Sequence, residues 1–256
     1  MKTITASYKK WGLFNKTITG YMPEKWDEVT DTQLIAIAEI YMNEAPQYKS
    51  VAVLLDMPLG IVKQFSTIQL YELLQHLQFI TDYRPRNCFI IKDVHNLVPP
   101  RHKLNQMTFT QFVFLENYFE ECMGQVSDES LNNFVAHLYL RQNEAFDHSL
   151  LSARAKQRII TSIPTQTKMA LLINYRLIRE WLATVYPLIF FQKKETAKAD
   201  QIHHEKPVSA AQQWMRVYES IVGDDIIHFE EYGQKEVHII FKYLTKKIKE
   251  NAGKKS

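Results

Sequence analysis

Glycine is scarce in this chain, with 7 residues in 256 against 13 tyrosines and 14 phenylalanines. That scarcity argues against glycine-rich phosphate loops, dinucleotide fingerprints and glycine-flanked nucleophile turns, and it points to long elements around an aromatic core. Cysteine is scarcer still. Cys88 and Cys122 are too few for a disulfide framework and lack the paired spacing of a zinc site, so both read as packed thiols in a reducing cytoplasm. No charge of one sign dominates either: 31 basic and 28 acidic residues leave a net charge of +3, too little for a global field that draws in nucleic acid or an anionic membrane. Met1 to Ser7 holds no apolar core of signal-peptide length. The most apolar stretch, Met169 to Phe191, carries Arg176, Arg179 and Glu180 at its centre, which a bilayer would penalise. It reads as a buried helix, and no membrane partner is expected.

What is present is an ordinary globular balance, 46% hydrophobic and 23% charged. A chain of this length can bury roughly 70–75% of its unfolded surface, enough for a core without disulfides or metals. Residues 3–20 alternate around Ile4, Tyr8, Leu13 and Ile18 with threonines between, the pattern of a short hairpin turning at Trp11-Gly12 or at Asn15-Lys16. Helix starts are marked by side chains that satisfy the free amides of a first turn. Thr30 with Gln33, Ser66 with Gln69 and Thr108 with Gln111 form capping boxes, and Ser127 precedes Asp128 and Glu129, where the helix dipole favours acids. The stripes behind these starts set the buried faces. They are Leu34, Ile37, Ala38 and Tyr41; Leu70, Leu73, Leu74 and Leu77; Phe112, Val113 and Phe119; and Leu131, Phe134, Val135 and Leu138.

Residues 81–107 read as a long, partly extended connection, because Leu97-Val98-Pro99-Pro100 cannot continue a helix. Helical patterning resumes over 149–163 and again from Thr165 to Tyr186, where Pro187 ends or kinks it. From Gln192 to Gln213 the composition shifts to Lys, Glu, Ala, Asp, Gln and His with few large aliphatics, the mark of a linker that cannot bury enough surface to order itself. The organisation expected is therefore a mainly α fold. It comprises a helical main domain over 1–191 with a small N-terminal hairpin, a flexible linker over 192–213 and a helical segment over 214–256.

No residue set has the spacing of a catalytic or metal site, so neither an enzyme nor a cofactor is expected. His203-His204-Glu205 resembles a ligand cluster but sits in the linker. His137 and His95 lack the second histidine four residues away that a helical zinc pair needs, and read as surface or satisfied polar residues. The acidic pairs Glu120-Glu121, Asp224-Asp225 and Glu230-Glu231 point apart on a helix and read as surface charge or, for Asp224-Asp225, as a helix entry. Lys242, Lys246, Lys247, Lys249, Lys254 and Lys255 make a basic tail with only Glu250 opposing. Lysines there offset the helix dipole, and no nucleic-acid motif accompanies them. Partner binding carries the positive signal. Trp214 and Tyr218 on one helix, with Val237, Ile240, Phe241, Leu244 and Ile248 on the next, form an amphipathic pair on a tether, as in helix-in-groove recognition. Two helices make a small core, which they complete on the main body, on each other in an oligomer, or on a partner.

Three phrases and an ending go further. They are Met22-Pro23-Glu24-Lys25-Trp26-Asp27-Glu28-Val29-Thr30 with Gln33, Met107-Thr108-Phe109-Thr110-Gln111-Phe112-Val113-Phe114, and Phe134-Val135-Ala136-His137-Leu138-Tyr139 with Arg141. Together with a Trp214 helix followed by an amphipathic last helix, they resemble a family of tail proteins from phages and prophages of Bacteroidetes and, more loosely, tail assembly chaperones. These phrases are caps and core positions, so they specify a fold better than a function. The resemblance implies a non-catalytic factor in the bacterial cytoplasm that acts on the phage tape-measure or tube protein during tail assembly, shielding apolar helices of that client. A structural component of the virion and a nucleic-acid binder using the basic tail are the other classes open to the sequence.

Overall fold

Two nine-residue strands open the chain: β1, Lys2–Lys10, and β2, Phe14–Met22, pair antiparallel from Lys2 opposite Met22 to Lys10 opposite Phe14. The computed structural model describes residues 1–10, 13–42, 47–190, 210–223 and 229–253. Asn15 and Lys16 pair with Lys9 and Tyr8, so they are strand residues and not the turn; the alternative turn at Trp11-Gly12 lies outside the described residues. Helices follow in the order α1 (Asp31–Met42), α2 (Gln47–Leu55), α3 (Leu59–Val62) and α4 (Thr67–Gln75). Past a connection holding β3 (Leu97–Val98) come α5 (Phe109–Gly124), α6 (Asp128–Leu138), β4 (Leu140–Arg141), α7 (Leu151–Ala155) and α8 (Arg158–Thr161). The chain goes on through α9 (Thr165–Val185), α10 (Pro187–Phe190), α11 (Ala210–Val222), α12 (Phe229–Gly233) and α13 (Val237–Gly253). The fold is mainly α with a two-stranded N-terminal hairpin, and no described helix is long and apolar enough to cross a membrane.

These elements gather into two compact units, one of Met1–Arg84 with Pro164–Leu177 and one of Pro85–Ile163 with Ile178–Ser256. The first is built on the hairpin and α1 to α4. Thr30 and Gln33 cap α1 reciprocally, at 3.3 and 3.1 Å, and Ser66 and Gln69 do the same for α4. Leu34, Ile37 and Ala38 are buried as their spacing predicts, but Tyr41 is exposed. Its hydroxyl donates to the Ile80 carbonyl at 2.9 Å, a partner at the surface that a phenol can reach from the end of the helix. Trp26 is the largest buried side chain among the described residues; its indole N–H donates to the Asp82 carbonyl at 2.9 Å, and its ring stacks on Tyr83, over which the Arg176 guanidinium lies at 3.6 Å.

The hairpin is seated through Gly20. A Cβ placed there would lie 2.5 Å from the Leu55 carbonyl oxygen and 2.7 Å from the Met57 methyl carbon. Gly20→Ala therefore forces the strand off α2, and the expected cost is about 1–3 kcal/mol. Urea unfolding reads this directly, and an unchanged midpoint would mean that β2 does not rest on Leu55.

In the second unit, two expectations are modified and one, the break at Pro187, holds. Gln111 N–H donates to Thr108 Oγ at 3.2 Å, but the Gln111 amide does not return to Thr108; it donates to the His137 carbonyl at 2.8 Å, satisfying the end of α6 instead. Residues 149–163 do not form one helix, because Ala155, Ile160 and Ile163 are all buried and a five-residue step departs from a straight helix face. Gln157 in extended conformation breaks the segment into α7 and α8, so that both can face inward. Pro187 starts α10 at the first helical position, where its missing N–H is harmless. Most of the expected 192–213 linker lies outside the described residues, and Ala210 to Gln213 already belong to α11.

Candidate functional site

Helix α5 sits at the centre of the second unit and carries aromatic side chains on more than one face. Phe109 and Phe112 are fully buried, and against them pack Trp214 of α11 and Phe241 of α13 with centroid separations of 4.9–6.4 Å, mostly edge to face. Such pairs add about 0.5–1.5 kcal/mol each beyond the area they bury. The amide of Val237 donates to the Met107 carbonyl and that of Phe109 to the Lys235 carbonyl, both at 2.9 Å, which joins the start of α13 to the start of α5 by backbone.

The seven residues expected to meet a partner are thus placed as follows. Val237, Ile240, Phe241 and Leu244 are buried in the core of this unit, Trp214 is half-buried among Phe109, Phe112, Phe190 and Phe241, and Ile248 is half-buried near the end of α13. Tyr218 is buried too, but it lies elsewhere. Its hydroxyl bonds the Gly233 backbone, and its ring forms part of the floor of an open groove.

That groove has a volume of about 470 Å³ and runs along α5, from Phe109 and Thr110 through Val113 and Phe114 to Asn117 and Tyr118. Met215 and Tyr218 of α11 form the opposite wall, and Glu230 and Gln234 stand at its end. The residues on α5 recur at four-residue steps over about two and a half turns, a trough about 14 Å long at the helical rise. Its floor, Phe109, Val113 and Tyr218, is buried; Met215 on the rim is 39% exposed. Among the described residues, Glu230 is the one charged group in the lining. Of the residues singled out by sequence, Phe109, Thr110, Val113, Phe114, Tyr218 and Glu230 meet here, whereas Asn117, Tyr118, Met215 and Gln234 are not marked by any motif. The available signal was the width of the apolar face of α5, broader than packing on one neighbour requires.

Behind the rim lies His137, fully buried and not at the surface, with one of its two ring nitrogens satisfied. Its ring meets Tyr118 at 4.4 Å and Phe114 and Phe146 at 6.0 Å. Nδ1 donates to the Asn133 carbonyl at 2.6 Å, while Nε2 is buried with no hydrogen-bond partner. Burial, reinforced by the charge of Arg154, lowers its pKa to about 4, against the opposing pull of the Asn133 carbonyl. Cys122 is buried as well, and desolvation raises its thiol to about 11, so it is inert at neutral pH.

A second cleft, about 530 Å³, has a mixed lining in which Lys92, Arg101, Arg141 and Glu144 stand beside Val98, Pro99 and Leu140. Its carboxylate is already held by Arg154 and by the Arg141 amide at 2.7 Å. Among the described residues no group of three or more His, Cys, Asp or Glu side chains could hold a metal ion. His203-His204-Glu205, Asp224-Asp225, Lys254 and Lys255 lie outside the described residues. Of the remaining tail lysines, Lys246 pairs with Glu250 at 3.8 Å and Lys247 donates to the Ser220 carbonyl at 3.4 Å while lying 5.0 Å from the Tyr243 ring. No family model, curated protein or solved structure matches this chain.

Proposed function

We propose that this protein is a non-catalytic binding factor that takes an apolar helical segment of another protein into the groove between α5 and α11. The observation that carries the reading is the trough itself, apolar along its floor and open at its rim over about 14 Å. Side chains at i, i+4 and i+7 of an amphipathic helix span about 10 Å and fit within that length, and such anchors are how helix-in-groove recognition works. Glu230 at the end of the trough favours a client helix with a lysine or arginine beside its apolar stripe. The resemblance to phage tail proteins supports the finer reading, a cytoplasmic chaperone that shields the tape-measure or tube protein until the tail tube assembles.

In this reading the helices after the linker act by completing one wall of the groove. Trp214 and the α13 stripe hold that wall in place, and Tyr218 and Met215 face the client. Met215→Glu with Asn117→Lys changes the rim without touching the buried floor. Capture of a co-expressed tape-measure protein is expected to fall at least tenfold while the thermal midpoint stays within about 2 °C, as is usual for surface substitutions. Full capture by the double variant would overturn the assignment of the groove. A protein that remains in purified virions in stoichiometric amounts would instead be a structural component.

A further inference from the structure

The hairpin in the first unit carries a second surface, independent of the groove. Lys9 fixes its hydrogen-bonding phase: the Lys9 amide donates to Gln64 Oε1 at 3.0 Å, and Gln64 Nε2 donates back to the Lys9 carbonyl at 3.4 Å. The backbone groups of Lys9 therefore point away from β2, and Lys9 and Asn15 are a non-hydrogen-bonded pair. In an antiparallel ladder bonded and non-bonded pairs alternate. With the observed register, Thr17, Thr19 and Tyr21 fall in the same phase as Asn15, so their N–H and C=O groups point outward from the β2 edge.

The two edges differ in what meets them. The β1 edge is engaged through its backbone by Gln64 at Lys9, while at its other end the Lys2 side chain, not the backbone, meets His76 at 3.1 Å. Along β2, no described residue bonds an outward backbone group from Asn15 to Tyr21. Proteins usually protect such an edge with proline, a bulge or several charges. β2 has neither proline nor bulge, runs in register over nine pairs, and carries one charge, Lys16. Its tip is uncovered as well: Leu13 is 80% and Phe14 58% exposed, and the neighbouring outward residues Thr17 and Thr19 are β-branched and suited to cross-strand pairing.

Charge decides the occupant. Residues 1–22 hold Lys2, Lys9, Lys10 and Lys16 and no Asp or Glu. A second copy would set four lysines against four. Nucleic acid would need a row of rings for base stacking, and the outward face is mostly hydroxyl-bearing, Thr3, Thr5, Ser7, Thr17 and Thr19. We infer that the free edge of β2 is a strand-addition site for an extended, carboxylate-bearing segment of another protein.

The test uses the full chain and a capped nine-residue peptide of alternating valine and glutamate, with a valine–lysine peptide as control. Amide hydrogen exchange at Asn15, Thr17, Thr19 and Tyr21 is expected to slow at least tenfold with the glutamate peptide and not with the lysine one. Thr19→Pro, which removes an outward N–H and spares the β1–β2 ladder, should abolish the effect. A glutamate peptide N-methylated on the amides facing β2 should fail in the same way, whether or not the proline variant folds. Unchanged exchange with the glutamate peptide overturns the site. Equal protection by the lysine peptide overturns the acidic partner. Protection that rises with protein concentration alone, or that appears with single-stranded oligonucleotide and survives Thr19→Pro, overturns it in favour of self-association or nucleic acid.

Discussion

Arg179→Met is expected to destabilise the protein by about 3–5 kcal/mol, the usual consequence of removing one partner of a buried ion pair. Glu116 on α5 is fully buried, and Arg179 Nε lies 3.2 and 3.0 Å from its two oxygens. The same guanidinium reaches Glu120 at 3.4 Å and lies over the rings of Phe119 and Phe190 at 5.4 and 5.9 Å. Arg179 is partly exposed and Glu116 is not, so the two single variants differ. Glu116→Leu leaves a cation that can turn to water, whereas Arg179→Met leaves a carboxylate that cannot. The methionine variant should be the worse, and Glu116→Leu added to it should restore more than half of the loss, because an apolar pair needs no desolvation. Urea unfolding of the four proteins completes the cycle. Equal losses in the two single variants, or no recovery in the double, would show that the pair is not what holds α5 to α9. Lys246→Met, at an exposed helix pair, should leave the midpoint where it is.

This pair also marks where the sequence is legible and where it is not. Caps act locally, between residues three apart, and Thr30 with Gln33 and Ser66 with Gln69 close as local chemistry requires, while Ser127 caps α6 as read and Ser130 adds a return that the two acids beside it do not announce. Stripes are local as well, and α1, α5, α6 and α13 bury most of the residues their spacing selects. What the spacing cannot say is which partner a stripe meets. The α13 stripe and Trp214 have the pattern of a free amphipathic pair, and it takes Phe109 and Phe112, about 100 residues earlier, to bury them. Gln111 shows the same limit on a smaller scale, since a buried carbonyl from α6 outcompetes the capping return. The groove was hidden for a related reason: its floor is built from residues that read as ordinary core, and only the spare width of the α5 apolar face distinguishes them.

His137 turns that burial into a pH dependence. An unperturbed histidine titrates near 6.5, and in the folded protein burial lowers this one to about 4. Between those values the unfolded chain binds a proton that the native state excludes, so stability rises with pH across the window. The contribution is complete above about pH 6.5 and lost as pH falls through 6 and 5 toward 4, a total of about 3 kcal/mol at 1.36 kcal/mol per pH unit. Carboxylates with lowered values, such as Glu28 held by the Glu24 amide and the N-terminal amine, lose their contribution at still lower pH. His137→Phe separates the two. Phenylalanine suits a site bounded by Tyr118, Phe114 and Phe146 and removes the buried Nε2 that has no partner, so the variant should be at least as stable at pH 7. Between pH 6.5 and 4.5 its urea midpoint should stay nearly flat while that of the parent protein falls steeply. Parallel curves for the two proteins would place the acid sensitivity elsewhere.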